Sequence, residues 1–145
     1  MTDRLRELFP ALLDYRVTSP QEARYNCIAW AAGEANRWWS PDIDSYWPPE
    51  VPMDYGLGAY ISAFGTLGYE RCANGSLEEG FEKVAIYESP SGYVVHMARQ
   101  LHTGRWTSKL GGLEDIEHAG PAELEGREYG AVVQYMRRVA SPPSD

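Results

Sequence analysis

Cysteine is scarce in this chain: Cys27 and Cys72 are the only two in 145 residues. A disulfide between them is possible, but a stapled secreted scaffold normally carries more. Long apolar runs are missing, and no stretch approaches the ~20 residues that span a bilayer. The N-terminal segment Met1-Thr2-Asp3-Arg4-Leu5-Arg6-Glu7 is charged and has no apolar signal region. Basic residues are few, 13 against 21 acidic ones, for a net charge of −8. That balance argues against nucleic acid, whose phosphates need clustered Lys and Arg, and against a polybasic membrane contact. Phosphate loops of the Gly-x-x-x-x-Gly-Lys type are absent, as is Rossmann order. Cys27, Cys72, His96, His102 and His118 show no Cys-x-x-Cys or His-x-x-x-His spacing, so a metal centre is the minor alternative. The expectation is a cytoplasmic protein with no metal and no cofactor.

What is present suggests one domain over residues 1–140 and a disordered tail at 141–145. Leu5, Leu8, Phe9, Leu12 and Leu13 recur at helical spacing around Pro10. Ser19 and Glu22 fit a capping box with Pro20 between them, and Asn26 offers a second helix start. From Asn26, a helix carrying Cys27, Trp30, Ala31 and Glu34 on one side would end near Arg37-Trp38-Trp39. Residues 40–56 hold four of the ten prolines, with Tyr46, Trp47 and Tyr55, and read as an irregular aromatic loop. Leu57, Tyr60, Ile61, Phe64 and Leu67 predict a further helix. Then the period changes to two: 83–87, 93–101 and 105–110 read as a meander of strands, with Thr103-Gly104 as a tight turn. Gly111-Gly112 opens a loop carrying Asp115-Ile116-Glu117-His118, and Tyr129–Met136 is a last strand.

Helices first and antiparallel strands after give an α+β class with segregated layers. The motifs YNCIAWA, VAIY, VVHMARQL, GRWTSKLG and DIEH together resemble a family of small bacterial proteins, from about Gln21 to Arg138. More distantly, the order of parts resembles papain-like and NlpC-type cysteine peptidases. That resemblance implies a minimal papain-like fold, with N-terminal helices packed on an antiparallel sheet of about 4–5 strands. It also implies that Cys27 matches the nucleophile and His96 the base. Gln21, six residues before Cys27, matches the oxyanion-hole glutamine. The chain departs from both patterns around the cysteine, with Asn26 before it and Ile28-Ala29-Trp30 after it, so no substrate class carries over.

The chemistry expected is that of a thiol hydrolase or acyl-transferase: peptidase, deamidase or amidase. A helix start and a nearby imidazole both favour a thiolate, and a third polar group orients the imidazole. Ser108 and His118 are equal candidates for that group. With a two-residue Thr103-Gly104 turn, Thr107 and Lys109 would share the face of His96; a longer loop would bring Ser108 there. Trp38, Trp39, Tyr46 and Trp47 could line a substrate groove for a peptide or protein. The competing reading is a non-enzymatic module, a degenerate hydrolase or immunity-like partner, that uses an acidic, aromatic surface. In it Cys27 is a core residue, Trp38 to Trp47 are loop anchors, and His96 is an exposed structural side chain.

Overall fold

Residues buried on both faces make β3 (Phe81–Glu88) and β4 (Val94–Gln100) the centre of the computed structural model, which describes residues 4–19, 24–110 and 114–140. Around them an antiparallel sheet of seven strands is ordered β1-β6-β5-β4-β3-β7-β2. The others are β1 (Tyr15–Ser19), β2 (Glu70–Cys72), β5 (Trp106–Lys109), β6 (Asp115–His118) and β7 (Ala131–Val139). Helices are short: α1 (Arg4–Leu8), α2 (Cys27–Ala31) and α3 (Leu57–Gly65), with a 3-10 turn at Pro121–Leu124.

Both faces of the sheet are covered. Val84, Ile86, Met97 and Met136 face α2, α3 and the aromatic loop, and join Cys27, Ile28, Trp39, Tyr60 and Phe64 in one core. Ala85, Tyr87, Ala98, Trp106 and Ile116 face the other way, against Leu5, Phe9, Leu12 and Leu124. Period-two alternation assigns successive residues to opposite faces. Met97 therefore belongs to the α2 side, and His96, opposite Tyr87 in β3, to the α1 side.

The expected papain-like architecture with 4–5 strands is overturned. Tyr15–Ser19, which ends at the residue expected to cap a helix, forms β1, and Asp115–His118, expected as a loop, forms β6; the two pair with each other. Glu70–Cys72 adds an edge strand on β7. The helix expected to run from Asn26 to about Arg37 ends after one turn, where Gly33 adopts φ +88 and the Glu34 N–H closes on the Ala29 carbonyl. A left-handed residue of that kind terminates a helix. What remains is a sheet with short helical caps, not a helical layer on a small sheet. The capping-box residues Pro20 and Glu22, the Gly111-Gly112 pair and the 141–145 tail lie outside the described residues.

The β4–β5 hairpin sets the site. The Leu101 N–H donates to the Arg105 carbonyl at 2.7 Å, and the Gly104 N–H donates to the Leu101 carbonyl at 2.9 Å. Three residues, not two, thus form the loop, with Gly104 at φ +91 supplying the left-handed position. Arg99 then pairs with Thr107, a register that puts Ser108 on the face of His96.

Candidate active site

Cys27 opens α2. Asn26 is its N-cap: Oδ1 accepts from the Ala29 and Trp39 N–H groups, both at 3.1 Å, and Nδ2 donates to the Trp39 carbonyl at 2.7 Å. One side chain thereby ties the helix start to the aromatic loop. Beside it lies a cleft of about 220 Å³, lined by Cys27, Trp38, Trp39, Tyr55, Tyr60 and Val94 among others. Cys27 itself is 9% exposed. Burial pushes its thiol up to about 11, opposed by backbone hydrogen bonding from Met97 and Ile28 and by the charge of Lys109.

Two strands separate at this point. β4 and β5 pair only at Arg99–Thr107 and Gln100–Trp106. Beyond those pairs Met97 packs with Cys27 in the core on the α2 side of the sheet. On the other side, the Ser108 hydroxyl stands between two imidazoles, 3.2 Å from His96 Nε2 and 2.9 Å from His118 Nε2. His118 Nδ1 lies 3.0 Å from the Gly120 carbonyl. A carbonyl only accepts, so His118 Nδ1 carries the proton and Nε2 is the acceptor. Ser108 then donates to His118 and accepts from His96 Nε2–H. The chain leaves the lone pair of His96 on Nδ1, which is buried and has no hydrogen-bond partner.

His96 is fully buried, not exposed, because α1, the 3-10 turn and Tyr129 cover its face. Tyr129 stacks on its ring at 4.0 Å, and Tyr87 meets it edge-on at 5.0 Å. Burial, with the nearby His118, holds His96 well below the usual imidazole range. His118 is lowered by burial too, despite its bond to Gly120. Both rings are neutral at pH 7.

Lys109, expected on the face of His96 with a two-residue turn, lies on the opposite face beside Asp115. Both are completely buried on the α2 side, with Nζ 3.9 Å from Oδ1. The Tyr25 hydroxyl donates to Asp115 Oδ2 at 2.5 Å, and Lys109 sits 5.1 Å over the Tyr25 ring. Tyr25 precedes Cys27 by two residues, and the charge of Lys109 reaches the thiol as the smallest of the influences that lower its pKa. Tyr55, Tyr60 and Tyr129 were legible only as aromatics.

Of the other expected residues, Trp38 and Trp39 line the Cys27 cleft. Tyr46 packs edge-on against Trp39 at 4.9 Å and carries the Arg37 guanidinium on its face. Trp47 turns away into the core, edge-on to Tyr60, with its indole N–H on the Pro52 carbonyl. Gln21 lies outside the described residues. No hydrogen bond joins Cys27 to His96 among the described residues. Among them, too, no group of three or more His, Cys, Asp and Glu could hold a metal ion.

Residues 16–137 match the model of a family described as a domain of unknown function, DUF7689. The chain belongs to that family. No curated protein and no solved structure matches it. No described helix is long and apolar enough to cross a membrane.

Proposed function

We propose that the chain is a thiol hydrolase or acyl-transferase acting on an amide-type carbonyl of a peptide or protein. The observation that carries this reading is the hydrogen-bond chain from Gly120 through His118 and Ser108 to His96. It leaves His96 Nδ1 unprotonated and unpartnered, on the residue before Met97, which packs in the same core as Cys27. The resemblance to NlpC-type peptidases adds support at the level of residue roles, not of fold.

In this reading the Cys27 sulfur attacks the carbonyl carbon as its proton passes to His96 Nδ1. The C=O π electrons move to oxygen, next to the N–H groups at the start of α2 and the Lys109 ammonium. Collapse breaks the C–N bond, and the amine leaves with the proton from Nδ1. Water, or an acceptor amine, then attacks the thioester, gives its proton to Nδ1 and releases the thiol. The thiol and imidazole are neutral and unbonded in the free protein and stand on opposite faces of β4, so the proton transfer requires the β4 backbone to move when substrate binds. Hydrogen bonds of this kind commonly tighten only when substrate is bound.

The high thiol pKa and the missing Cys27–His96 bond favour a second reading, a protein-binding module in which Cys27 is core. Iodoacetamide alkylation of Cys27 across pH, in a Cys72→Ala background with and without His96→Ala, separates the two. The enzyme reading expects alkylation of the folded protein at pH 7.5, slowed at least tenfold by His96→Ala. Equal rates in both proteins, or alkylation only in denaturant, would overturn it and leave the module.

A further inference from the structure

Arg99 lies on the α2 face of β4, and its guanidinium stacks over the Trp30 ring at 5.4 Å. Four arginines are half-buried among the described residues: Arg99, Arg105, Arg137 and Arg138. Three of them have carboxylates. Arg105 binds Asp14 and Glu117, Arg137 binds Glu70 and Glu78, and Arg138 binds Glu82. Arg99 has no carboxylate and no hydrogen bond among the described residues, and its Nε is buried without a partner. Among these four, Arg99 alone is left without an acid. Ring stacking compensates part of the desolvation but satisfies no N–H group.

Arg99 borders a cleft of about 490 Å³ together with Gly33, Glu82, His102 and Arg138. It lies at the far end of α2 from Cys27, where Gly33 turns the chain with nothing within 4 Å of a would-be side chain. We infer that this cleft is a binding site for a carboxylate, held by the Arg99 guanidinium against Trp30. A planar fork of N–H donors matches a carboxylate with two parallel bonds. The local charge selects the class of anion. Two guanidiniums and one Glu82 carboxylate leave a single net positive charge, which balances a monoanionic carboxylate better than a dianionic phosphate. The site is independent of the Cys27 chemistry, since neither the thiol nor the histidine chain borders it.

The test titrates the full chain with acetate, acetamide and inorganic phosphate, following backbone amide shifts of Gly33, Leu101 and His102 by NMR. Acetate is expected to shift these amides saturably and acetamide to leave them in place. Arg99→Gln is expected to weaken acetate binding at least tenfold. Arg99→Lys, which keeps the charge without the fork, is expected to fold and to weaken it at least threefold; it decides the matter if Arg99→Gln does not fold. The proposal fails if acetamide shifts the same amides equally, if phosphate binds more tightly than acetate, or if the Arg99 variants bind acetate as wild type does.

Discussion

Ser108 Oγ lies 3.2 Å from His96 Nε2 and 2.9 Å from His118 Nε2, so a single hydroxyl relays to His96 the tautomer that the Gly120 carbonyl fixes in His118. Ser108→Ala removes it and leaves a buried donor and a buried acceptor unsatisfied. Each such group costs about 1–3 kcal/mol. A loss of roughly 3 kcal/mol in urea unfolding is therefore expected. Ser108→Thr keeps the hydroxyl and should lose less. In the enzyme reading, Ser108→Ala also frees His96 to protonate at Nδ1, and alkylation of Cys27 slows.

Acid should weaken the fold in a window set by the two histidines. Burial lowers both His96 and His118 below the ordinary imidazole value of 6.5. The unfolded chain then binds more protons than the folded one as pH falls below that value. Stability is full above 6.5 and declines below it, at up to about 1.4 kcal/mol per pH unit for each histidine. Glu123, lowered by backbone N–H groups despite partial burial, acts only at lower pH. Urea midpoints measured from pH 7.5 to 5 should fall, and fall less steeply in His96→Gln. Equal slopes in the two proteins would show that His96 titrates normally.

These rings were only partly legible in the sequence. The residues 93–101 could be read as a strand, and Ser108 and His118 stood as equal candidates for the partner of His96. The face of Ser108 depended on one loop residue, because a one-residue change of register exchanges the two faces. The strands β3, β4, β5 and β7 and the helix α3 have enough periodic residues to be read. β1, β2 and β6 do not: they are short, and β6 offers only Ile116 as an apolar residue. Their pairing comes from neighbours distant in sequence. An exposed His96, as in the non-enzymatic reading, would need one sheet face open to solvent. Leu5, Phe9 and Leu12 cover that face instead.

Lys109 and Asp115 should show strong coupling. Both are completely buried, 3.9 Å apart. Lys109→Met leaves Asp115 charged in the core, held by the Tyr25 hydroxyl, and is expected to cost about 3–5 kcal/mol. Adding Asp115→Asn removes the stranded charge and should restore much of that loss. A double-mutant cycle in urea measures the coupling. Additive losses would mean that the two charges do not sense each other.

Gly130 holds Tyr129 over His96. Its φ is +68, and a side chain there would place Cβ 2.1 Å from the Glu88 carbonyl oxygen. Neither the backbone conformation nor the space admits alanine. Gly130→Ala should cost about 3 kcal/mol or more, as overpacking against backbone does. Gly33→Ala is the control: it has the same sign of φ but open space, so only the strain of the left-handed region, about 1 kcal/mol, is expected. A comparison of the two melting temperatures separates steric collision from strain.

Asn26 connects the helix carrying Cys27 to the loop carrying Trp39 through three hydrogen bonds. Asn26→Ala removes the cap and both loop contacts, and should cost about 2–3 kcal/mol. Asn26→Asp is the more informative change. Its carboxylate still accepts from the Ala29 and Trp39 N–H groups, so the helix start survives. The donor to the Trp39 carbonyl is lost, and a negative charge now stands beside the thiol. Like charge opposes ionisation, so the Cys27 pKa should rise further and alkylation should slow, even where stability falls only modestly. Asn26→Ala brings no charge, so any slowing there comes from lost order alone. If Asn26→Asp alkylates faster than Asn26→Ala, the order of the helix start governs the thiol more than the local field does.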